Sequence, residues 1–337
     1  MTGRIAFVAL LACACARPSS GQTGAIEVVQ SAGVSNELIA GAGVQLRGLF
    51  QPTERFRVYL EAAWGDRSGT GSDVFCTAYP YGGRVDAVEN YGELTVQTTG
   101  LRFLKAGRYR TPFGLANASD HAYVGFLRPP LIRYGGYFAL SSGYLEEGAD
   151  LVAGAPHLSA EFSLGRSADV GTARRRPGAL NKVGRIEGIL GPIIVGASVL
   201  RTMPDQPAYF AFGRATFRGV DARWMQAGVQ IRGEWIDGVP FEGTTTKGGY
   251  LDAIVHTRVM GPVTALARAE KLDYDTPVAA YRLFTHRYVA ATRIRIWRGL
   301  STSLGVSHQG GRLTQHRPTA FDAGVSWALR KDFASGQ

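Results

Sequence analysis

The chain has 337 residues, of which 37 are Lys or Arg and 27 are Asp or Glu, so its formal net charge is +10. After the first apolar stretch there is no run of about 18 apolar residues, which excludes a helical membrane protein. Two of the three cysteines lie in that first stretch, which excludes a disulfide framework and a cysteine-rich metal cluster.

The start of the chain is typical of a secretory signal. Arg4 precedes the apolar stretch 5–16, which is too short to span a bilayer as a helix and ends on small residues that suit cleavage. We therefore expect residues 1–16 to be a signal peptide and residues 17–24 to be a short N-terminal segment. An alternative is a lipoprotein box in which Cys13 carries the lipid.

Residues 25–333 alternate in hydrophobicity over segments of about ten residues, joined by short turns and by longer polar or Gly-rich connections. This pattern is typical of an all-β transmembrane antiparallel barrel with short periplasmic turns and long outer loops. No linker divides the segments, so we predict one barrel domain followed by a tail at 334–337. The sixteen predicted strands are 25–32, 38–49, 55–65, 88–97, 100–111, 145–154, 157–165, 181–190, 193–202, 210–220, 224–235, 249–260, 263–272, 285–297, 300–308 and 319–331.

Alternation within a strand also predicts which face meets lipid. Tyr288, Ile294 and Ile296 share one face of their strand, whereas the opposite face carries arginines. A charge at the lipid midplane costs about 2–4 kcal/mol, so these arginines are predicted to lie in the lumen or at a rim. Lys105 breaks the rule because it shares a face with Phe103. Either its side chain snorkels to the interface or the predicted register slips there.

Arginine dominates the basic residues, and rings of arginine or lysine line pores that select anions or phosphate. The arginines predicted to face the lumen are Arg102, Arg108, Arg110, Arg185, Arg214, Arg218, Arg232, Arg258, Arg268, Arg293 and Arg295. The alternative is that inward carboxylates neutralise many of these charges and that diffusion is general. The carboxylates in question are Glu61, Glu187, Glu234 and Glu270.

The connection 115–144 follows the fifth predicted strand. A loop of this length without strand pattern is usually functional or disordered, and its aromatic and aliphatic content argues against disorder. The equivalent outer loop of a sixteen-stranded porin commonly folds inward. We therefore predict that this segment narrows a channel, with Arg128 and Arg133 as further constriction candidates.

The residues just before that loop, Gly107-Arg108-Tyr109-Arg110-Thr111-Pro112-Phe113-Gly114, resemble a motif of the phosphate-selective porin O and P family. The resemblance implies a sixteen-stranded and trimeric outer-membrane channel in which basic residues guide anions. By motif position it carries over Arg108 and Arg110 as anion-guiding residues.

The sequence thus predicts a porin in the outer membrane of a Gram-negative-type bacterium. It would contact outer-membrane lipid and pass small hydrophilic solutes by diffusion, with a preference for anions such as phosphate. The rival hypothesis is a plugged, non-conducting barrel that acts in surface adhesion or as a scaffold.

Other classes of function are disfavoured. Asp252 and His256 share a predicted face, but no nucleophile is marked beside them, so no enzyme is predicted. The secretory signal and the lack of a basic helix argue against nucleic-acid binding. The histidines lack metal-ligand spacing, and we predict neither a cofactor nor a metal site.

Overall fold

The computed structural model describes most of the chain. The residues described are 23–37, 39–68, 84–96, 100–115, 128, 130–133, 145–167, 180–202, 215–239, 244–257, 262–277, 282–311 and 318–334. The predicted signal peptide at 1–16 and residues 335–337 of the predicted tail lie outside these ranges, whereas Ala334 belongs to the last strand.

Sixteen strands and one short 3₁₀ turn make up the described structure. The strands are β1 (Thr23–Ser35), β2 (Ile39–Thr53), β3 (Phe56–Ser68), β4 (Arg84–Thr95), β5 (Leu101–Arg110), β6 (Leu145–Ala155), β7 (Leu158–Ser167), β8 (Asn181–Leu190), β9 (Ile193–Thr202), β10 (Ala215–Gln226), β11 (Val229–Val239), β12 (Thr245–Thr257), β13 (Val263–Asp275), β14 (Leu283–Trp297), β15 (Leu300–Gly311) and β16 (Thr319–Ala334). The 3₁₀ turn is Leu131–Arg133.

Each strand pairs antiparallel with the next one in sequence, and the last pairs with the first. The closing pair β1–β16 runs from Thr23 opposite Ala334 to Ser35 opposite Asp322. Closure leaves no free strand edge, so every backbone group of the wall can find a partner within the barrel. The predicted sixteen-stranded antiparallel barrel is confirmed.

The two edges of the barrel differ in their connections. Two-residue turns such as 156–157, 191–192 and 298–299 join strands at one edge, which we call the short-turn edge. Connections such as 111–144 and 203–214 join strands at the other, which we call the long-loop edge. Both β1 and β16 have their terminal ends at the short-turn edge.

Side chains alternate between an apolar outer face and a polar inner face. Ile186, Leu251 and Phe321 are 57–59% exposed on the outer face, whereas Glu61 and Asp252 are buried on the inner face. Strand geometry requires this period of two, and a bilayer would cover the apolar band. Within the described ranges, no helix is long and apolar enough to cross a membrane.

The predicted boundaries of two strands are wrong. The pattern indicated a turn between residues 220 and 224, but β10 continues to Gln226 and turns at Ala227 and Gly228. Both turn residues have positive φ, 49° and 82°, as a two-residue hairpin that matches strand twist requires. Gly228 was therefore the turn signal that the strand pattern obscured.

Candidate functional site

The start of the long loop after β5 docks on the inner wall. Phe113 is fully buried, the Gly114 N–H donates to Ser198 Oγ at 3.2 Å, and the Leu115 N–H donates to Glu234 Oε2 at 3.1 Å. Gly114 has a φ of +62°, and a Cβ there would overlap the Glu234 carboxylate. Glycine is thus required where the chain leaves β5 and reaches β9 and β11.

A second part of the loop is fixed by Arg128. Its Nε donates to Asp322 Oδ2 at 2.5 Å, and its Nη2 donates to Glu37 Oε2 at 2.7 Å. Its carbonyl accepts a 2.9 Å hydrogen bond from Arg268 Nη1. Since the side chain is only 1% exposed, one buried guanidinium joins the loop to β16 and to the β1–β2 connection.

The 3₁₀ turn supplies a third attachment. The Leu131 N–H donates to Glu270 Oε2 at 2.6 Å, and the Leu131 and Ile132 side chains are buried. They belong to an apolar group on the inner wall that we call the loop-contact cluster. Its members are Phe113, Leu131, Ile132, Val183, Leu200, Phe217, Ile236, Tyr250 and Leu272.

The loop-contact cluster explains why apolar side chains occur on the inner face of β8 to β13. If these side chains faced water, the barrel would forgo a stabilisation of about 25 cal/mol for each Å² of apolar surface. Because the loop covers them, their burial stabilises the docked position of the loop instead. The described parts of 115–144 therefore lie inside the barrel and contact its wall at three places.

Below this cluster, charged side chains on β8 to β14 form what we call the inner ion-pair network. It contains five arginines and five carboxylates. Its members are Arg185, Glu187, Asp221, Arg223, Arg232, Glu234, Asp252, Arg268, Glu270 and Arg287.

The bonds of this network are short and mostly buried. Asp252 accepts from Arg232 Nε at 3.0 Å and from Arg268 Nε at 2.5 Å. Arg287 and Glu270 form a fully buried pair at 2.9 Å. Equal numbers of positive and negative groups make this network neutral in sum. On this wall the geometry favours the predicted alternative, neutralisation by inward carboxylates.

The opposite wall has the same character. Lys105 Nζ lies 2.8 Å from Asp150 Oδ2 and 5.4 and 5.1 Å from the ring centroids of Tyr91 and Tyr109. Lys105 therefore faces the lumen, where a carboxylate and aromatic faces hold its ammonium group. Snorkelling is not needed, and the face with Phe103 is the inner one.

This result corrects the face assigned to Arg108. Arg108 is four residues from Leu104 and therefore lies on the same face of β5, and Leu104 is 39% exposed on the outer surface. Arg108 also lies opposite Glu147 on β6. Arg108 was predicted to line the pore because its apolar neighbours Phe103 and Tyr109 were taken to face lipid. They pack inside instead, so the strand's faces are inverted.

The predicted place of Arg218 in the lumen is wrong for the same reason. Its side chain is 78% exposed on the outer face and pairs with Asp237, Nε to Oδ1 2.5 Å. The inward residue is its neighbour Phe217, a member of the loop-contact cluster. A charge outside is tolerated here because Arg218 lies near the long-loop edge and not at the midplane.

The remaining arginine candidates occupy different places. Arg102 lies on the same outer face of β5 as Leu104, near the short-turn edge, where it donates to the Ala155 carbonyl, so its predicted place in the lumen is also wrong. Arg110 pairs with Glu89 at 3.0 Å. Arg293 and Arg295 lie on the inner face of β14, in its short-turn half. Their roles as pore residues, and those of Arg232 and Arg268, stay predictions. Outside the described residues lie Arg214, Arg258 and the side chain of Arg133.

The acid and histidine considered for catalysis do not form a pair. Asp252 is engaged by two arginines, whereas His256 Nδ1 is 3.1 Å from Thr264 Oγ1. In the described part of the chain, no group of three His, Cys, Asp or Glu residues could hold a metal ion.

Sequence reasoning missed the residues that fix the loop. Glu37 and Asp322 carried no motif, and Phe217 and Leu272 were not recognised as inward. One signal was present: Phe217 and Leu272 fall on the same face of their strands as charged residues, although the opposite faces of β10 and β13 are also apolar. Two apolar stripes in one strand indicate that something other than lipid covers the second.

No protein-family model matches the chain, and no curated protein matches it. Solved structures do match. OprB of Pseudomonas putida aligns with a TM-score of 0.62 at 8% identity, covering 92% of this chain and 94% of that one. The anion-selective porin of Comamonas acidovorans gives 0.60 at 11% identity, covering 94% and 100%.

A third match is OmpT, an outer-membrane protein of Vibrio cholerae described in a trimer form, with a TM-score of 0.61, 8% identity and coverage of 92% and 100%. At such low identity the likeness concerns the fold. The chain has the closed sixteen-stranded barrel of the outer-membrane porins.

Proposed function

We propose that this protein is an outer-membrane channel through which small hydrophilic solutes diffuse passively. The observation that carries the proposal is a polar inner wall in a closed barrel of sixteen strands, a size at which side chains no longer fill the interior. The outer apolar band and the matched outer-membrane structures support the location. A homotrimer, as described for the matched Vibrio cholerae protein, is part of the proposal.

Selectivity is proposed to be weak overall, with a lean towards anions such as phosphate. The inner ion-pair network neutralises most arginines that face the lumen. Arg295 differs: it is exposed on the inner face of β14, and the described residues give it no carboxylate partner. The matched Comamonas acidovorans protein is an anion-selective porin, which supports the same direction.

The test is conductance of the refolded barrel in a planar bilayer with a KCl gradient across it. We expect steady channels with a small reversal potential of the sign for anion preference. Arg295→Gln should move that potential towards zero. Arg218→Gln is the matched control, because it removes the same charge from the outer face and should leave the potential unchanged.

Two results would contradict the proposal. A folded barrel that gives no conductance would favour the plugged barrel that acts in adhesion or as a scaffold. A steady channel with cation preference would retain the diffusion channel and remove the anion lean. Chemical crosslinking in mild detergent tests the trimer, since a species of one chain only would exclude it.

A further inference from the structure

The outer face of β7, β8 and β9 carries three basic residues at the long-loop edge. Arg166 shares its face with Phe162, Lys182 with Ile186, and Arg201 with Val199, and these apolar partners are 49%, 57% and 60% exposed. All three basic side chains are themselves exposed. We call Arg166, Lys182 and Arg201 the basic triad.

Strand register brings the triad together. Lys182 lies directly opposite Arg201, and it lies opposite Leu164, two residues before Arg166. Side chains in direct opposition have Cβ atoms about 4.5–5.5 Å apart, and diagonal neighbours are about 7–8 Å apart. Like charges in direct opposition destabilise a sheet, so this arrangement requires a compensating anion or a local cost.

The described residues supply little compensation. None of the three triad side chains forms an ion pair within them. Glu147 lies opposite Arg166, but it also lies opposite Arg108, so one carboxylate faces two arginines. Arg218, by contrast, is a basic residue of the outer face with its own carboxylate, Asp237. The triad is therefore a local excess of positive charge.

Apolar surface adjoins the triad on the side away from the loops. The exposed residues of this surface are Phe162, Leu164, Ile186, Val199 and Val220. An occupant that suits both surfaces has an anionic head and apolar chains. Because the positive excess exceeds one charge, the head suited to it carries phosphate monoesters, each with a charge of about −1.5 to −2 at pH 7.

We propose that the basic triad binds the phosphate groups of a phosphorylated outer-leaflet lipid, whose acyl chains lie along the apolar band below. The proposal rests on the outer-membrane location proposed above. The two guanidinium groups match phosphate oxygens bidentately, and Lys182 adds a point charge between them. Bound phosphate would also relieve the repulsion between Lys182 and Arg201.

The experiment measures lipid binding to the full-length refolded barrel in a non-ionic detergent by native mass spectrometry. The probes are a bisphosphorylated lipid A, phosphatidylglycerol and inorganic phosphate. We expect lipid A to bind more tightly than phosphatidylglycerol, which carries one phosphodiester charge. A millimolar excess of inorganic phosphate should leave lipid A bound, because phosphate gains nothing from the apolar band.

The test variant is the double substitution Lys182→Gln with Arg201→Gln. Each basic residue near an anionic lipid surface contributes about fivefold, so the pair should cost about 25-fold in lipid A affinity. Lys331→Gln is the control, since Lys331 is exposed on the outer face of β16 at the short-turn edge, away from the triad. It should change affinity less than twofold.

Equal affinity of the double variant and the unaltered barrel would overturn the proposal, as would displacement of lipid A by inorganic phosphate. The variant removes repulsion and so is expected to fold, which heat-dependent mobility on gels checks. Its conductance should equal that of the unaltered barrel. A barrel that binds lipid A through the triad without conducting would refute the channel and leave the lipid site standing.

Discussion

Replacing Arg128 by Met should release the long loop from β16. Methionine keeps much of the side-chain volume but removes the guanidinium that bridges Asp322 and Glu37. Removing one partner of a buried ion pair costs about 3–5 kcal/mol, because the remaining charges stay buried without compensation. At the lower end, about 3 kcal/mol, the ratio of docked to undocked loop falls by about a hundredfold.

Two assays follow this change. Single-channel recordings should show larger or noisier conductance than the unaltered barrel, and thermal unfolding in detergent should occur at a lower temperature. Asp322→Asn combined with Arg128→Met completes a double-mutant cycle, in which the two losses should be smaller than additive. Arg330→Met is the matched control, since that arginine pairs on the exposed end of the same strand and should change neither readout.

An Arg128→Met barrel with unaltered unfolding temperature and unaltered conductance would refute the reasoning. It would mean that the bonds of Arg128 to Asp322 and Glu37 do not hold the loop. Unaltered conductance with reduced stability would mean that the loop stays docked through its other two attachments.

Three further outcomes are expected. Gly114→Ala should lower the unfolding temperature strongly, because the added Cβ would overlap Glu234. Gly191→Ala is the control, since Gly191 has nearly the same φ but open space around it, and its unfolding temperature should fall much less. Similar losses in the two variants would exclude the overlap. Asp252→Asn should destabilise the barrel by about 3–5 kcal/mol, because the buried Arg232 and Arg268 lose their carboxylate partner. The same change should shift the reversal potential in the direction of anion preference. An unshifted potential would mean that the two arginines lie outside the conduction path. Ile132→Ala should cost about 2–5 kcal/mol in thermal unfolding if the 3₁₀ turn packs as described, and a loss near zero would contradict that packing.

The alternation of residues was sufficient to predict sixteen strands and many of their faces. In β14 the exposed Tyr288 and Ile296 lie outside and the buried Arg287 lies inside, as the pattern indicated. Strand faces are local, since a period of two depends only on pleat geometry and on which face meets lipid. The inward position of the loop was predicted only by comparison with the equivalent loop of sixteen-stranded porins.

Arg108 and Arg218 were misplaced because alternation alone treats every apolar stripe as lipid-facing. Phe217 and Tyr109 face inward, Phe217 against the loop and Tyr109 against the polar inner wall, where its hydroxyl lies 2.7 Å from Ser163 Oγ. A second apolar stripe in one strand does not tell which distant segment of the chain covers it.

By itself the sequence determined the class of fold, the strand rhythm and the abundance of arginine. Only the tertiary structure decided which arginines are neutralised, because a partner such as Asp252 for Arg268 is set by the register between strands. The tertiary structure also decided that Arg128 meets Asp322 across 194 positions of the chain. Composition counts charges, whereas the field in the lumen depends on the distances between them.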